Sequence, residues 1–291
     1  MKIRHFLRQK LKKKKSIHYI SNKKDLNFLD NHLSQSNIFG LDTEFDWRTT
    51  YFPKLSLVQI SIEKHLFLID CLKVNPEKVL KKYLENNSIL KIFHSARSDT
   101  TVLSKCLNSK TKNVFDIQLA EKILSKGELK SYGKIVKKFF GVVLKKEETN
   151  SNWLRRPLSE NQINYALDDV DYLLEIYNYQ KKNLLKADLL KTVFLLSKKE
   201  ADLGNQSLKK LRFKKQEKKL SNRSKDIFIW REELAESKNI PPAYIFKDKH
   251  LLKLSKIEST DILVKNKVMA IIGDTHLTEK FIYYFLWSLF G

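Results

Sequence analysis

Three apolar runs of strand length follow one another between residues 38 and 70, and helices alternate with strands after them. This order restricts the fold more than any other property of the chain. SNIFGLDTEFDW reads as a strand with Gly40 inside it, and LSLVQISI and HLFLID read as a hairpin closed by a polar Glu-Lys turn. NPEKVLKKYLEN opens on Asn-Pro, a helix-start signal, and leads to the strand ILKIFHS, the helix ARSDTTVLSKCL, the short strand NVFD and the helix IQLAEKIL. Upstream, residues 16–24 lead into a first strand, and NKKDLNFLDNHLSQ places Leu26, Phe28, Leu29 and Leu33 on a short amphipathic helix. A meander followed by strand–helix alternation predicts an α/β fold, a mixed sheet flanked by helices.

From about residue 128 the pattern is helical: SYGKIVKKFFG, then SENQINYALDDVDYLLEIYNYQKKNLLK, with Ser159 and the polar residues after it as a capped start. Residues 204–222 are polar, basic and poor in large apolar side chains, which predicts a partly helical linker. Beyond it, IFIWREELAESKNIPPAYIFKDKHLLKLSK predicts short helices punctuated by Ile240-Pro241-Pro242, a small all-α C-terminal domain. The expected organisation is a basic N-terminal arm (1–16), an α/β domain (17–203), a basic linker (204–222) and a helical domain (223–291).

Charge narrows the partner. The 291 residues carry a formal net charge of +23, which suits a polyanion, either nucleic acid or an anionic membrane surface. No run approaches the roughly 18 apolar residues that span a bilayer, and FIYYFLWSLFG reads as a final packed helix. Cys71 and Cys106 show no zinc-ligand spacing and suit a reducing compartment, which with the absence of a secretory h-region predicts a cytoplasmic protein. The acid-free start reads as a basic arm that touches RNA or stays solvated, with a mitochondrial-type presequence as the alternative.

Against this basic background a few acids stand out. Asp42 and Glu44 are two apart on a strand and so share one face, while Leu41, Thr43 and Phe45 take the other. Two carboxylates side by side on an apolar strand repel each other and cost desolvation, and a divalent cation relieves both. On the helix near 165, Ile163, Ala166, Leu167, Val170, Leu174 and Tyr177 form the core stripe. Asp168 falls opposite, in solvent. Asp169 lies at the rim of the stripe, four residues after Tyr165 and on its face, and Asp171 reads as a surface charge. Asp99 falls early in the helix after ILKIFHS, where the positive helix end favours a carboxylate. His94, at the strand end, reads either as a substrate contact or as a hydrogen-bonded core histidine.

Together, DTEF, HSARSDTTVL, FDIQLA, NWLRRPLS and YALDDVDYLL resemble the three exonuclease motifs of the ribonuclease D family, in the tyrosine-bearing subclass of the DEDD group. The histidine-bearing subclass would place His where Asn164 stands. The resemblance covers residues 17–200 or so, and the C-terminal part resembles the helical domain shared by RecQ-type helicases and ribonuclease D, in one copy. It implies a ribonuclease H-like fold, metal-binding acids at Asp42, Glu44, Asp99 and Asp169, and Tyr165 beside the attacking water. Two divalent ions, Mg²⁺ or Mn²⁺, follow from the all-oxygen donor set. Gln59 matches a family position in the sheet, and Trp153 and Arg156 match the W-x-x-R-P-L segment. Asn152 stands where the family tends to carry Asp, and Lys145-Lys146 where it often has Asp-Lys.

The activity so implied is a metal-dependent 3′–5′ exoribonuclease that releases 5′-nucleoside monophosphates and trims tRNA 3′ ends, with RNA as partner, no membrane and no obligate protein partner. Trp153, Arg155 and Arg156 are the expected stacking and phosphate contacts, extended by the basic run Lys209–Lys219 and by Tyr244, Phe246, Lys247 and Lys249 of the helical domain. A DNA-directed exonuclease is the alternative among enzymes, and a catalytically silent nucleic-acid-binding module the alternative of another class.

Overall fold

A computed structural model of the chain describes residues 15–145, 147–258 and 263–287. The described residues fall into two compact units: one runs to Asp46 and resumes over Pro53–Gln206, the other comprises Trp47–Phe52 and the chain from Ser207 onward.

The first unit holds a six-stranded mixed sheet of β1 (Ser16–Ile20), β2 (Ile38–Asp46), β3 (Lys54–Ile62), β4 (His65–Asp70), β5 (Leu90–Phe93) and β6 (Val114–Asp116), in the order β1-β4-β3-β2-β5-β6. β2, β3 and β4 pair antiparallel as the hairpin reading requires, and β1, β5 and β6 join parallel. Each sheet face is apolar and covered. One carries Leu41, Val58, Ile60 and Phe67 under α1 (Lys23–Ser34), α2 (Glu77–Leu84) and α3 (Arg97–Cys106). The other carries Leu57, Leu66, Leu68 and Ile92 under α4 (Ile117–Ser125), α5 (Tyr132–Phe140), α6 (Glu160–Asp171) and α7 (Leu173–Lys186). A further helix, α8 (Leu190–Gly204), packs along β6 and α3.

Several expectations are corrected. The helical run after Ser159 is two helices: the Tyr172 amide is drawn to the Tyr132 hydroxyl at 3.2 Å, and the chain breaks there. Phe28 is 41% exposed, and its ring packs against His18 and His32 instead of the core. Asp168 is half-buried, and burial followed by the Asp171 charge lifts its carboxyl to about 6. Asp171 binds Lys15, whose ammonium lies 2.8 Å from it and 3.2 Å from Glu175. Ser16, expected in the basic arm, opens β1; the rest of that expected arm up to residue 14 lies outside the described residues.

The second unit is helical: α9 (Leu208–Gln216), α10 (Asn222–Lys238), α11 (Pro242–Ile245), α12 (Leu251–Leu254), α13 (Val264–Ile272) and α14 (Thr275–Ile282). Its core gathers Ile227, Phe228, Leu251, Leu254 and Phe281. The expected partly helical linker over 204–222 contains helix α9, which is anchored in this unit by Leu208, buried in its core, and by Arg212, which meets buried Glu232 at 3.0 Å. Charged side chains made the segment look solvated, but two well-placed residues suffice to fold it in. Trp47–Phe52, between β2 and β3, clusters with this unit: Tyr51 is fully buried, and the Tyr51 and Phe52 amides both donate to Asn239 Oδ1 at 3.1 Å. Phe246 is a core residue here, 3% exposed, so of the expected RNA contacts in this domain the aromatic one that faces solvent is Tyr244.

Candidate active site

β2 and α6 build the site. Asp42 and Glu44 project from the β2 face that carries Leu57, with Gln59 and Leu57 as their cross-strand partners on β3. The register slips between Glu44 and Phe45, a bulge that ends the regular pairing beside the second acid. Ala166, Leu167 and Val170 seat α6 on the same face and turn Asp169 toward the strand. A capping box between Ser159 and Gln162 fixes where α6 begins. Gly40 allows the close approach: a Cβ there would lie 2.4 Å from Ser61 Oγ and 2.9 Å from Leu173 Cβ. The outcome is one carboxylate oxygen each from Asp42, Glu44 and Asp169, all within 4.8 Å of one another.

These acids hold one another's protons. Burial, then the charges of Asp99, Asp169 and Glu44, raise Asp42 well above the usual carboxylate range. Burial, then Asp169 and Asp99, push Glu44 up to about 9. Such a cluster is costly when fully ionised and is relieved by a cation.

The fourth acid arrives from the other side. Asp99 sits in the first turn of α3, which covers the opposite sheet face, and its Oδ1 accepts a 2.7 Å hydrogen bond from Thr43 Oγ1. Its pKa rises to about 7, mainly through burial. Asp99 is thus outside the group of three but near enough to be the leading charge acting on Asp42. α3 is itself held by Asp116, whose carboxylate accepts from the amides of Ser95 and Ala96 at 3.0 and 2.9 Å. Neither Thr43 nor Asp116 was singled out from the sequence. Thr43 reads there as a core-facing residue, although FDIQLA did mark the position of Asp116.

Tyr165 stands on α6 one turn before Asp169, with its hydroxyl 3.4 Å from Thr149 Oγ1 and its ring 5.9 Å from that of Trp153. Burial, then the Asp169 charge, raise its pKa above that of free tyrosine, so the phenol stays protonated.

Residues 17–185 match the family model for a 3′-5′ exonuclease, and residues 221–263 match that of the HRDC domain. Ribonuclease D of Desulfotalea psychrophila is 31% identical over 250 residues, covering 83% of this chain and 67% of that protein. The chain belongs to the ribonuclease D family. Ribonuclease D of Bartonella henselae is 34% identical, over 77% of this chain and 57% of that protein. The crystal structure of Escherichia coli RNase D, at 23% identity, superposes with a TM-score of 0.79 over 90% of this chain and 74% of that one, which shows the shared fold. Against the two ribonuclease D sequences the chain spans 57 to 67% of their length.

Within this ribonuclease D fold, two expected substrate contacts are structural. Trp153 is 3% exposed and lies in the core beneath α6, so its face cannot stack on a base. Arg156 grips the fully buried Asp70 through two 2.7 Å hydrogen bonds and also donates to the Trp153 carbonyl at 2.7 Å. The family's W-x-x-R-P-L segment is here a clamp that ties the loop before α6 to β4. Arg155, between them, is exposed. His94 Nε2 donates to the Lys130 carbonyl at 3.0 Å, and its ring meets Tyr132 edge-on. Gln59 is fully buried beside Asp42, and neither of its amide atoms has a hydrogen-bond partner among the described residues.

The donor set fits divalent cations. It is all oxygen, it is electrostatically unsatisfied, and an unpartnered Gln59 amide lies next to it. The DEDD exonucleases are a metal-dependent family, and nothing in these residues departs from that chemistry.

Proposed function

We propose that the chain is a 3′–5′ exoribonuclease that uses Mg²⁺ or Mn²⁺, releases 5′-nucleoside monophosphates and trims the 3′ ends of tRNA precursors in the cytoplasm. The convergence of Asp42, Glu44 and Asp169 beside a protonated Tyr165 carries the reading. The family membership and the net charge of +23 support it. The proposed division of labour is catalysis by residues 17–203 and RNA retention by the helical part that follows.

In this mechanism Asp42, Glu44 and Asp169 would hold the ions, with Asp99 brought in from the Thr43 side. Ions held there would lower the pKa of the attacking water and neutralise charge at the departing 3′ oxygen. Tyr165 does not serve as the base, because its proton is held more tightly than in free tyrosine. Its hydroxyl orients the water by hydrogen bonding. Arg155, exposed at the loop before α6, meets the substrate phosphates.

The deciding assay compares a 3′-extended tRNA precursor with single-stranded DNA of equal length in Mg²⁺, Mn²⁺ or EDTA. Stepwise shortening of the RNA, faster than of the DNA and absent in EDTA, is the expected result. Equal or faster degradation of DNA overturns the substrate, and activity in EDTA overturns the metal.

A further inference from the structure

The sheet unit contains a second basic feature, at the opposite end of the sheet from the acids. Asp42 and Glu44 lie toward the end of β2, whereas a cavity of about 730 Å³ opens where β6 begins. That volume is ordinary for a site that takes a small ligand. Lys110 and Lys112 in the loop before β6, and Lys191 and Lys198 on α8, surround it. Lys198 is paired with Asp202, also on the wall, at 2.5 Å. The ammonium groups of Lys110, Lys112 and Lys191 have no carboxylate partner among the described residues, while the Lys110 amide donates to Glu85 Oε1 at 2.9 Å, and the lining side chains carry an excess of three positive charges.

The rest of the lining suits a nucleoside. Phe194 is half-buried and anchored edge-on to Phe115 at 5.4 Å, and the neighbouring Leu195 is 60% exposed. Together they offer an apolar platform on which a base can lie. The wall is rigid, because Thr111 and Asn205 exchange hydrogen bonds of 3.3 and 3.2 Å between the loop and α8. Two polar atoms on it, Thr111 Oγ1 and Gln206 Oε1, are buried without a hydrogen-bond partner among the described residues.

From this combination of unpaired lysines, an apolar platform and unmatched polar atoms, we propose a second nucleotide site, whose lining shares no residue with the acid cluster. Lys110, Lys112 and Lys191 bind the phosphate, and Phe194 with Leu195 carries the base. The ligand is a phosphorylated nucleoside, supplied either as a free mononucleotide or as one unit of an RNA strand. An acidic peptide would use the lysines and leave the platform bare.

The test is photolabelling of the full chain in EDTA with 8-azido-AMP, followed by peptide mapping. EDTA leaves the catalytic carboxylates without cations and so repellent to phosphate. The expected result is saturable label on peptides containing residues 110–114 and 191–206, reduced at least tenfold in a Lys112→Glu/Lys191→Glu variant. Lys191→Glu alone, at an exposed position, gives a several-fold loss and serves if the double variant fails to fold. Protection by AMP in preference to a 3′-blocked oligoadenylate assigns the free nucleotide; the reverse order assigns the strand. Label confined to other peptides, label unchanged by Lys191→Glu, or protection by inorganic phosphate as strong as by AMP overturns the site.

Discussion

Thr43 reaches through to the far side of β2 and hydrogen-bonds Asp99 at 2.7 Å, so the residue between the two strand acids positions the acid on α3. Replacing Thr43 with Val keeps the shape and removes the donor. Loss of a partner that orients a ligand typically costs 10- to 100-fold in metal affinity or activity. The expected outcome is a loss of that size in Mn²⁺ affinity by calorimetry, with Thr43→Ser close to wild type. Unchanged Mn²⁺ binding in Thr43→Val would show that Asp99 positions itself.

The charges of the other three acids all act on Asp42. Asp42→Asn is expected to abolish turnover while leaving RNA affinity largely intact, measured by single-turnover cleavage and by filter binding. Tyr165→Phe removes only a hydroxyl and is expected to slow cleavage by about 10²–10⁴, the usual range for a positioned proton-handling group.

Without metal, the acids make the protein sensitive to pH. Glu44 at about 9 and Asp99 at about 7 are raised above their unfolded values, so between those values and the ordinary carboxylate range the native state binds more protons than the unfolded one. The stabilising protons are therefore present at low pH and lost as pH rises through about 7 and then 9. Thermal melts in EDTA are expected to show Tm falling from pH 5.5 to pH 9, less steeply in Glu44→Gln, and Mn²⁺ is expected to reverse the fall. A Tm that climbs with pH, with no difference between Glu44→Gln and wild type, counts against the repulsion.

Arg156 is expected to act on stability and not on RNA affinity. Asp70 has no exposed surface, and removing its guanidinium partner leaves a buried charge held only by hydrogen bonds from Tyr19 and the Leu72 amide. Breaking such a pair costs about 3–5 kcal/mol. Arg156→Met should show that loss in urea denaturation, whereas Arg155→Ala should leave stability unchanged and raise KM for RNA.

Which parts of this were legible in the sequence follows from how each residue announces itself. The strands of the sheet showed as apolar runs, the pair Asp42/Glu44 through a period of two on one of them, and Asp169 through its place on the rim of a helical stripe. Side chains with two plausible employments did not declare themselves. Trp153 and Arg156 look like substrate contacts because tryptophan and arginine often are, and only Asp70 reveals the clamp. Thr43 looks like filler until α3 is packed against it. The break at Tyr172 depends on a hydroxyl forty residues away, and α9 on two anchors within a lysine-rich run.

The excursion Trp47–Phe52 has a consequence for how the molecule comes apart. The polypeptide passes between the two units three times, at 46/47, 52/53 and 206/207. A protease that severs only the last crossing does not liberate a helical fragment, because a hexapeptide spliced between β2 and β3 remains embedded in that fragment's interior. Nicked protein should elute as one species from a sizing column and separate only in denaturant.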